Sequence, residues 1–381
     1  MDTNNNYFRN IFNKENIDLN GDIMSIFNSM PIITKREIKD NFDIYISKTN
    51  EKIIQQLTSG TNGEPLKCLK SNSERSIAAI SQWKERRRWD PYVTMENFFS
   101  LTGNGSKNYI GDFTNFDNSN MRHCFDKLMS FSPRWLWTSV SVIEKYAQAI
   151  ERGEIDYNNK SIKYIELAGE YVEQSQRRYI ENIFGCKTIN HYGTRECWCI
   201  AYECPQGELH VLNNLLYVES INNTNLNADL PQGFGEITIT SLYNKVMPLI
   251  RYNLEDLGKI SSLDCACGKK TQIIQALSGR KADIIKGTKG VVGDIFFKRI
   301  VHSLIWKNMD YIDSFKVDQL ENNYFVFYIV KKNKFSDLVL QIIQKEVSES
   351  LGKNCKIDFR FVDNILLSAS GKSKIFSCLK N

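Results

Sequence analysis

Apolar positions along the chain change period several times, and each change marks an element. From Ser139 to Arg152 the residues Val142, Ile143, Tyr146, Ala147 and Ile150 recur at helical spacing, which predicts an amphipathic helix. Ser71 to Arg88 reads the same way. Ser161 to Leu167 alternates instead, then stops at Ala168-Gly169-Glu170, a strand meeting a tight turn. A helical pattern returns from Val172 to Phe184, followed by a strand-like run from Cys186 to His191. Strand–helix–strand order implies an α/β domain with parallel strands.

The flanks read differently. Residues 1 to about 50 look like short helices and turns around a larger body. Within them, Thr34 is placed to cap a helix and Glu37 stands three residues later. From Leu209 to Ile260 short β runs dominate, including Gly235 to Ser241, and a break is expected around Leu277-Ser278-Gly279-Arg280. Beyond it come a helix near Phe296–Trp306, paired strands at Ser314–Val317 and Tyr324–Val330, a helix Asp337–Leu351 and a strand Lys356–Val362. That order suits a small α+β domain of about 100 residues.

Composition narrows the function more than the fold. With 381 residues the chain can hold two or three domains, each with its own core. Lys plus Arg number 49 against 44 Asp plus Glu, too even a balance for a dedicated nucleic-acid binder. The densest basic run, Lys84 to Arg88, reads as a solvated helix face. No stretch approaches the ~18 apolar residues that cross a bilayer. Met1 to Asn6 lacks the basic start and apolar core of a secretion signal. Ten cysteines in such a chain point to reduced thiols or metal ligands. The expected setting is cytoplasmic, with neither nucleic acid nor membrane as partner.

Two constellations carry chemistry. Leu57-Thr58-Ser59-Gly60-Thr61-Asn62-Gly63-Glu64-Pro65 is rich in hydroxyls and glycine. Such a backbone folds tightly enough to turn several N–H groups onto one anion, although a plain surface turn has the same composition. No Gly-Lys-Ser/Thr follows, so it is not a Walker loop. The second set is Cys204, His210, Cys265 and Cys267, enough soft and borderline donors for a closed tetrahedral zinc site. The alternative is four unrelated residues, one a buried structural cysteine.

Downstream motifs turn the first loop into a specific resemblance. His191-Tyr192-Gly193-Thr194-Arg195-Glu196, the segment Met247 to Gly258, Gly279-Arg280-Lys281-Ala282-Asp283 and Ser370-Gly371-Lys372 follow it in order. In that order they resemble the adenine, ribose, hinge and terminal-lysine motifs of the adenylate-forming superfamily. The nearest likeness is to its phenylacetate–CoA ligase-like, capsule-biosynthesis-type branch, which also resembles this chain around Cys204, His210 and Cys265–Gly268, and in which some relatives carry a structural zinc. The resemblance runs from about Leu57 to the C-terminus.

The resemblance implies an α/β fold with a large multi-subdomain N-terminal adenylation domain, residues 1–279, and a small, mobile α+β C-terminal lid domain, residues 280–381. It implies ATP-dependent activation of a carboxylic acid through an acyl-adenylate, with magnesium, and transfer to a thiol, foremost coenzyme A. A carrier protein or an amine is the alternative acceptor, and the acid is aromatic or another small hydrophobic carboxylate. By motif position Ser59, Gly60, Thr61 and Gly63 line the phosphates. Tyr192 stacks on adenine beside Gly193 and Thr194, with the backbone of Gly169 and Glu170 nearby. Glu196 holds magnesium, Asp256 accepts the ribose hydroxyls, Arg280 contacts the nucleotide and Lys372 swings in at the α-phosphate. Cys197 and Cys199 face the acyl pocket or the core.

Three positions depart from the family pattern: Asn62 and Glu64 replace a hydroxyl and a lysine, Arg195 replaces Thr or Ser, and Ala282 replaces an acidic residue. Arg195 is placed to bind the α-phosphate in bidentate fashion, or it marks a rearranged site. The departures also fit a degenerate relative that binds nucleotide or acyl ligand for regulation. Retention of Glu196, Asp256, Arg280 and Lys372 together argues for the enzyme.

Overall fold

The computed structural model describes residues 5–18, 20–58, 65–101, 111–158, 160–222, 233–280, 285–289, 291–293, 295–306, 309, 311–365 and 376–378. Two compact units divide them, one built chiefly from residues 1–91 and 191–277, the other from 92–190 and 278–381. The first unit opens with four short helices, α1 (Asn6–Lys14), α2 (Ile23–Ser29), α3 (Lys35–Asp40) and α4 (Phe42–Tyr45). Thr34 and Glu37 form the reciprocal capping box that starts α3. The hairpin β1 (Ile53–Leu57) and β2 (Lys67–Ser71) follows, then the long helix α5 (Asn72–Trp89), capped in the same way by Ser71 and Glu74.

The basic run inside α5 is solvated as expected at Lys84, Arg87 and Arg88, but not at Glu85 and Arg86. Glu85 and Arg86 are only 8% and 6% exposed. Glu85 is ion-paired with Lys269, and the Arg86 guanidinium lies 5.0 Å from the Trp83 ring centroid. The reason is geometric: five consecutive residues wind more than a full helical turn, so some must face the core whatever their charge.

The second unit begins with β3 (Phe98–Ser100), α6 (Asn118–Ser130), β4 (Trp135–Thr138), α7 (Val140–Glu151), β5 (Tyr164–Ala168) and α8 (Gln174–Phe184). β3, β4 and β5 pair in parallel, as the alternating strand and helix patterns require. α7 buries the predicted stripe, with Ile143, Tyr146 and Ala147 fully enclosed alongside Phe125, Leu136, Ile165 and Phe184. The next strand, β6 (Lys187–Thr194), runs three residues beyond the stretch expected of it.

Antiparallel strands complete the first unit: β7 (Trp198–Glu203), β8 (Leu209–Val211), β9 (Leu216–Ile221), β10 (Gly235–Ser241), β11 (Tyr252–Ser261) and β12 (Ile273–Arg280). Their order across the sheet is β7-β8-β12-β11-β10-β9. β12 continues to Arg280, and the division between the two compact units falls within it, between Leu277 and Ser278, inside the stretch where a break is expected. Gly279 takes φ +89° one residue before the strand ends.

The C-terminal residues supply β13 (Ile285–Lys286), β14 (Val291–Val292), α9 (Ile295–Trp306), β15 (Ile312–Glu321), β16 (Tyr324–Lys331), α10 (Leu338–Leu351), β17 (Lys356–Phe361) and β18 (Phe376–Cys378). Four of these strands form a sheet of order β17-β16-β15-β18, with β15 and β16 antiparallel and both outer pairings parallel. Phe297, Val317, Phe325, Phe327, Ile343 and Val347 close a core of their own there. The fold class is therefore α/β with a small α+β domain at the C-terminus. No helix among the described residues is long and apolar enough to cross a membrane.

Candidate nucleotide site and metal centre

The β6–β7 hairpin displays the motif residues. Tyr192 lies near the end of β6, and its hydroxyl donates to Asp256 Oδ2 at 2.6 Å, joining two residues 64 positions apart. Asp256 is presented by an irregularity in β11: Thr238 of β10 faces Asn253, whereas Glu236 faces Leu257, so three residues bulge opposite one. Glu255 sits in that bulge at φ +62°, its N–H held by Asn253 Oδ1 at 2.8 Å. Bulges re-aim side chains, and this one turns Asp256 toward Tyr192.

Glu196 occupies the turn between the two strands. Tyr252, buried on β11, donates its hydroxyl to Glu196 Oε1 at 3.1 Å. Burial, reinforced by the Glu196 charge, holds that phenol far above its ordinary pKa, so it serves as a donor only. The turn's backbone is fastened at each carbonyl. Lys70 Nζ donates to Arg195 O at 2.8 Å, Asn244 Nδ2 to Glu196 O at 3.3 Å and the Tyr243 hydroxyl to Cys197 O at 3.0 Å. Thr194 Oγ1 accepts from Cys197 N at 3.3 Å, closing the turn from within. The Arg195 side chain stays exposed while its carbonyl is held. Glu74, 2% exposed, fixes the segment bearing Tyr243 and Asn244, because its carboxylate accepts from the backbone N–H groups of Lys245 and Val246 as well as from Ser71.

Other predicted residues fall elsewhere or outside view. Gly169 takes φ +81° at the end of β5, which only glycine adopts cheaply. Glu170 binds Ser141, accepting from its N–H at 2.9 Å and its hydroxyl at 2.8 Å, and so ties the β5 turn to the first turn of α7. Cys197 and Cys199 are buried in the core at 0% and 2% exposure. Arg280 ends β12, and its backbone alone is described. Ser59, Gly60, Thr61, Gly63 and Lys372 lie outside the described residues, as do Asn62, Glu64 and Ala282. Lys70, Glu74, Tyr243, Asn244 and Tyr252 carry no motif that marks them. Tyr252 alone had a signal, its place within the ribose-like segment.

The cysteine–histidine set does assemble. One ligand atom each from Cys204, His210, Cys265 and Cys267 lies within 4.8 Å of all the others. Cys204 Sγ is 3.8 Å from Cys265 Sγ, and Cys267 Sγ is 3.3 Å from His210 Nε2. A tetrahedron with Zn–S bonds of about 2.3 Å has S–S edges of about 3.8 Å, which the Cys204–Cys265 separation matches. His210 Nδ1 lies 2.9 Å from Thr271 Oγ1, which orients the ring, and burial lowers the imidazole pKa toward the neutral, ligating form. Burial, with the neighbouring Cys267 and Cys265 thiols, raises the Cys204 thiol to about 11, a shift that a bound cation reverses. All nine described cysteines are free thiols.

Residues 288–377 match the family model of the CapK C-terminal domain. The protein CapK of Staphylococcus aureus is 22% identical, over 97% of this chain and 84% of its own. The chain is similar to proteins of the adenylate-forming superfamily, in its phenylacetate–CoA ligase-like branch. A phenylacetate–coenzyme A ligase of Thermus thermophilus is 24% identical over 42% of this chain and 36% of the ligase. Among solved structures, a 2-hydroxyisobutyryl-CoA ligase in complex with its acyl-adenylate superposes with a TM-score of 0.75 at 14% identity, covering 98% of this chain and 86% of that one. An anthranilate CoA ligase bound to anthranoyl-AMP gives 0.60 at 14% identity, over 92% and 74%.

Proposed function

We propose that the protein activates a small carboxylic acid with ATP and transfers the acyl group to the thiol of coenzyme A. The observation that carries this reading is the Tyr192–Asp256 hydrogen bond, which gathers an adenine-type aromatic and a ribose-type carboxylate at one place. Relatives whose structures hold acyl-adenylates share the fold and support it. In the first half-reaction a carboxylate oxygen attacks the α-phosphorus and pyrophosphate leaves. In the second a thiol attacks the acyl carbon and AMP leaves.

Each residue has a task in this scheme. Two anions must approach each other, and positive charge with preorganised donors lowers that barrier. Ser59, Gly60, Thr61 and Gly63 cradle the phosphates, and the exposed Arg195 guanidinium meets the α-phosphate as a planar fork. Tyr192 stacks on the base beside Gly193 and Thr194. Asp256, which Tyr192 orients by its hydrogen bond, accepts from the ribose hydroxyls. Gly169 and Glu170 offer backbone near the adenine, since the Glu170 carboxylate is already engaged by Ser141. Glu196 would hold magnesium, which screens the triphosphate when bound. We place the domain boundary at residues 279 and 280, with Arg280 at the hinge and Lys372 carried by a mobile lid that closes for adenylation.

The cysteine–histidine cluster is a second, structural site, and its near-tetrahedral donor spacing favours zinc. Three thiolates on one Zn²⁺ leave a single negative charge, and Lys269 lies close enough to act on Cys267 and His210.

Pyrophosphate release measured across aryl, acyl and amino acids, with and without coenzyme A, tests the main reading. Release with one acid class, and AMP accumulation that rises with coenzyme A, is the expected result. ATP binding without release for any acid would instead support a ligand-binding relative.

A further inference from the structure

Lys70 is 2% exposed, in the middle of β2. Burying an ammonium costs several kcal/mol unless acceptors replace its water, and an apolar chain of similar length would often fit such a position at no loss of stability. Its described contacts are one carbonyl, Arg195 O at 2.8 Å, and the face of Trp198, whose ring centroid is 4.8 Å away. Glu196 and Glu74 are close enough to act on it electrostatically. Every one of these partners belongs to, or supports, the turn that presents Glu196.

Trp198 carries the second half of the argument. It is a bulky residue at φ +56°, a left-handed conformation that persists only where the surroundings hold it. Its indole N–H donates to Gln56 Oε1 on β1 at 2.9 Å, and Lys70 of β2 covers its ring. Gly193 completes the clamp: a Cβ there would stand 1.9 Å from Trp198 O, so no larger residue fits beneath the turn. The hairpin that supplies Gln56 and Lys70 is the one flanking the hydroxyl-rich segment. Its base is closed by Thr58 N to Leu66 O at 3.0 Å and by Leu66 N to Thr58 Oγ1 at 2.8 Å.

We propose that Lys70 is a positioning residue for Glu196, locking the turn that presents this carboxylate to β1 and β2. It acts through the Arg195 carbonyl and the Trp198 ring, which fix where the Glu196 carboxylate stands. The inference rests on the assignment of Glu196 to magnesium.

The test is the gain in ATP affinity on adding Mg²⁺, measured by calorimetry on the full chain, with pyrophosphate release followed in parallel. Lys70→Met should fold, leave metal-free ATP affinity within about twofold, and lose about tenfold of the magnesium-linked gain, the worth of one charged hydrogen bond. Gln56→Leu leaves the buried charge in place and loosens only Trp198. It should lose about threefold of the same gain, and it keeps the proposal testable if Lys70→Met fails to fold. A merely structural role would lower the unfolding temperature and leave the magnesium-linked gain at the wild-type value. That result in Gln56→Leu, or in a folded Lys70→Met, overturns the proposal. Wild-type protein that binds MgATP with normal coupling but releases no pyrophosphate overturns the enzymatic reading alone. Wild-type protein that does not bind ATP overturns both.

Discussion

At Tyr192 one phenolic hydroxyl links two tasks. Its ring has the flat face a base stacks on, while its O–H donates to Asp256 at 2.6 Å. A hydrogen bond to a charged acceptor contributes about 1.5–3 kcal/mol, so removing the hydroxyl alone separates the two roles. Tyr192→Phe should keep the ring, release Asp256 and raise the KM for ATP roughly tenfold, with little change in the KM for the acid. Steady-state kinetics with both substrates varied check this, and an unchanged KM for ATP would mean that Asp256 needs no such anchor. Glu170 shows the opposite situation. Its carboxylate is committed to Ser141, which leaves only the backbone of that turn to meet a nucleotide.

At the scale of elements, function depends on places where regular structure is interrupted. β11 supplies Tyr252 from just before a bulge and Asp256 from within it, so one strand serves both the Glu196 turn and the Tyr192 contact. A regular ladder would have sent alternate residues to opposite faces at fixed spacing. The turn before β8 and the segment between β11 and β12 meet in the same manner at Cys204, His210, Cys265 and Cys267. Neither stretch is regular structure over its whole length, and a metal would bind them together more firmly than their few backbone hydrogen bonds do. Protein purified without chelator should therefore carry about one equivalent of zinc, and stripping it should lower the unfolding temperature. Elemental analysis decides the point: less than about a tenth of an equivalent is incompatible with a closed structural site.

At the scale of the whole molecule, the proposed chemistry places the hinge residue Arg280 and the terminal Lys372 in a domain separate from Tyr192, Glu196 and Asp256. Lys372→Ala should abolish acid-dependent pyrophosphate release and spare ATP binding, since a mobile cation acts at the transition state and contributes little to the bound ground state. Loss of ATP affinity equal to the loss of rate would refute that role. The sequence by itself determined the element types, because hydrophobic period and capping residues are local. Thr34 with Glu37 and the stripe of α7 read directly from spacing. It also carried the resemblance to the adenylate-forming superfamily, because the order of motifs survives when most other positions differ. What only tertiary structure decided was which side chains meet. Lys70 looks like any strand lysine until Arg195 and Trp198, more than a hundred residues away, close over it. Glu85 and Arg86 read as solvent-facing until the winding of α5 turns them inward. Burial, bulges and ladder pairing depend on partners distant in the chain, and local pattern carries no record of them.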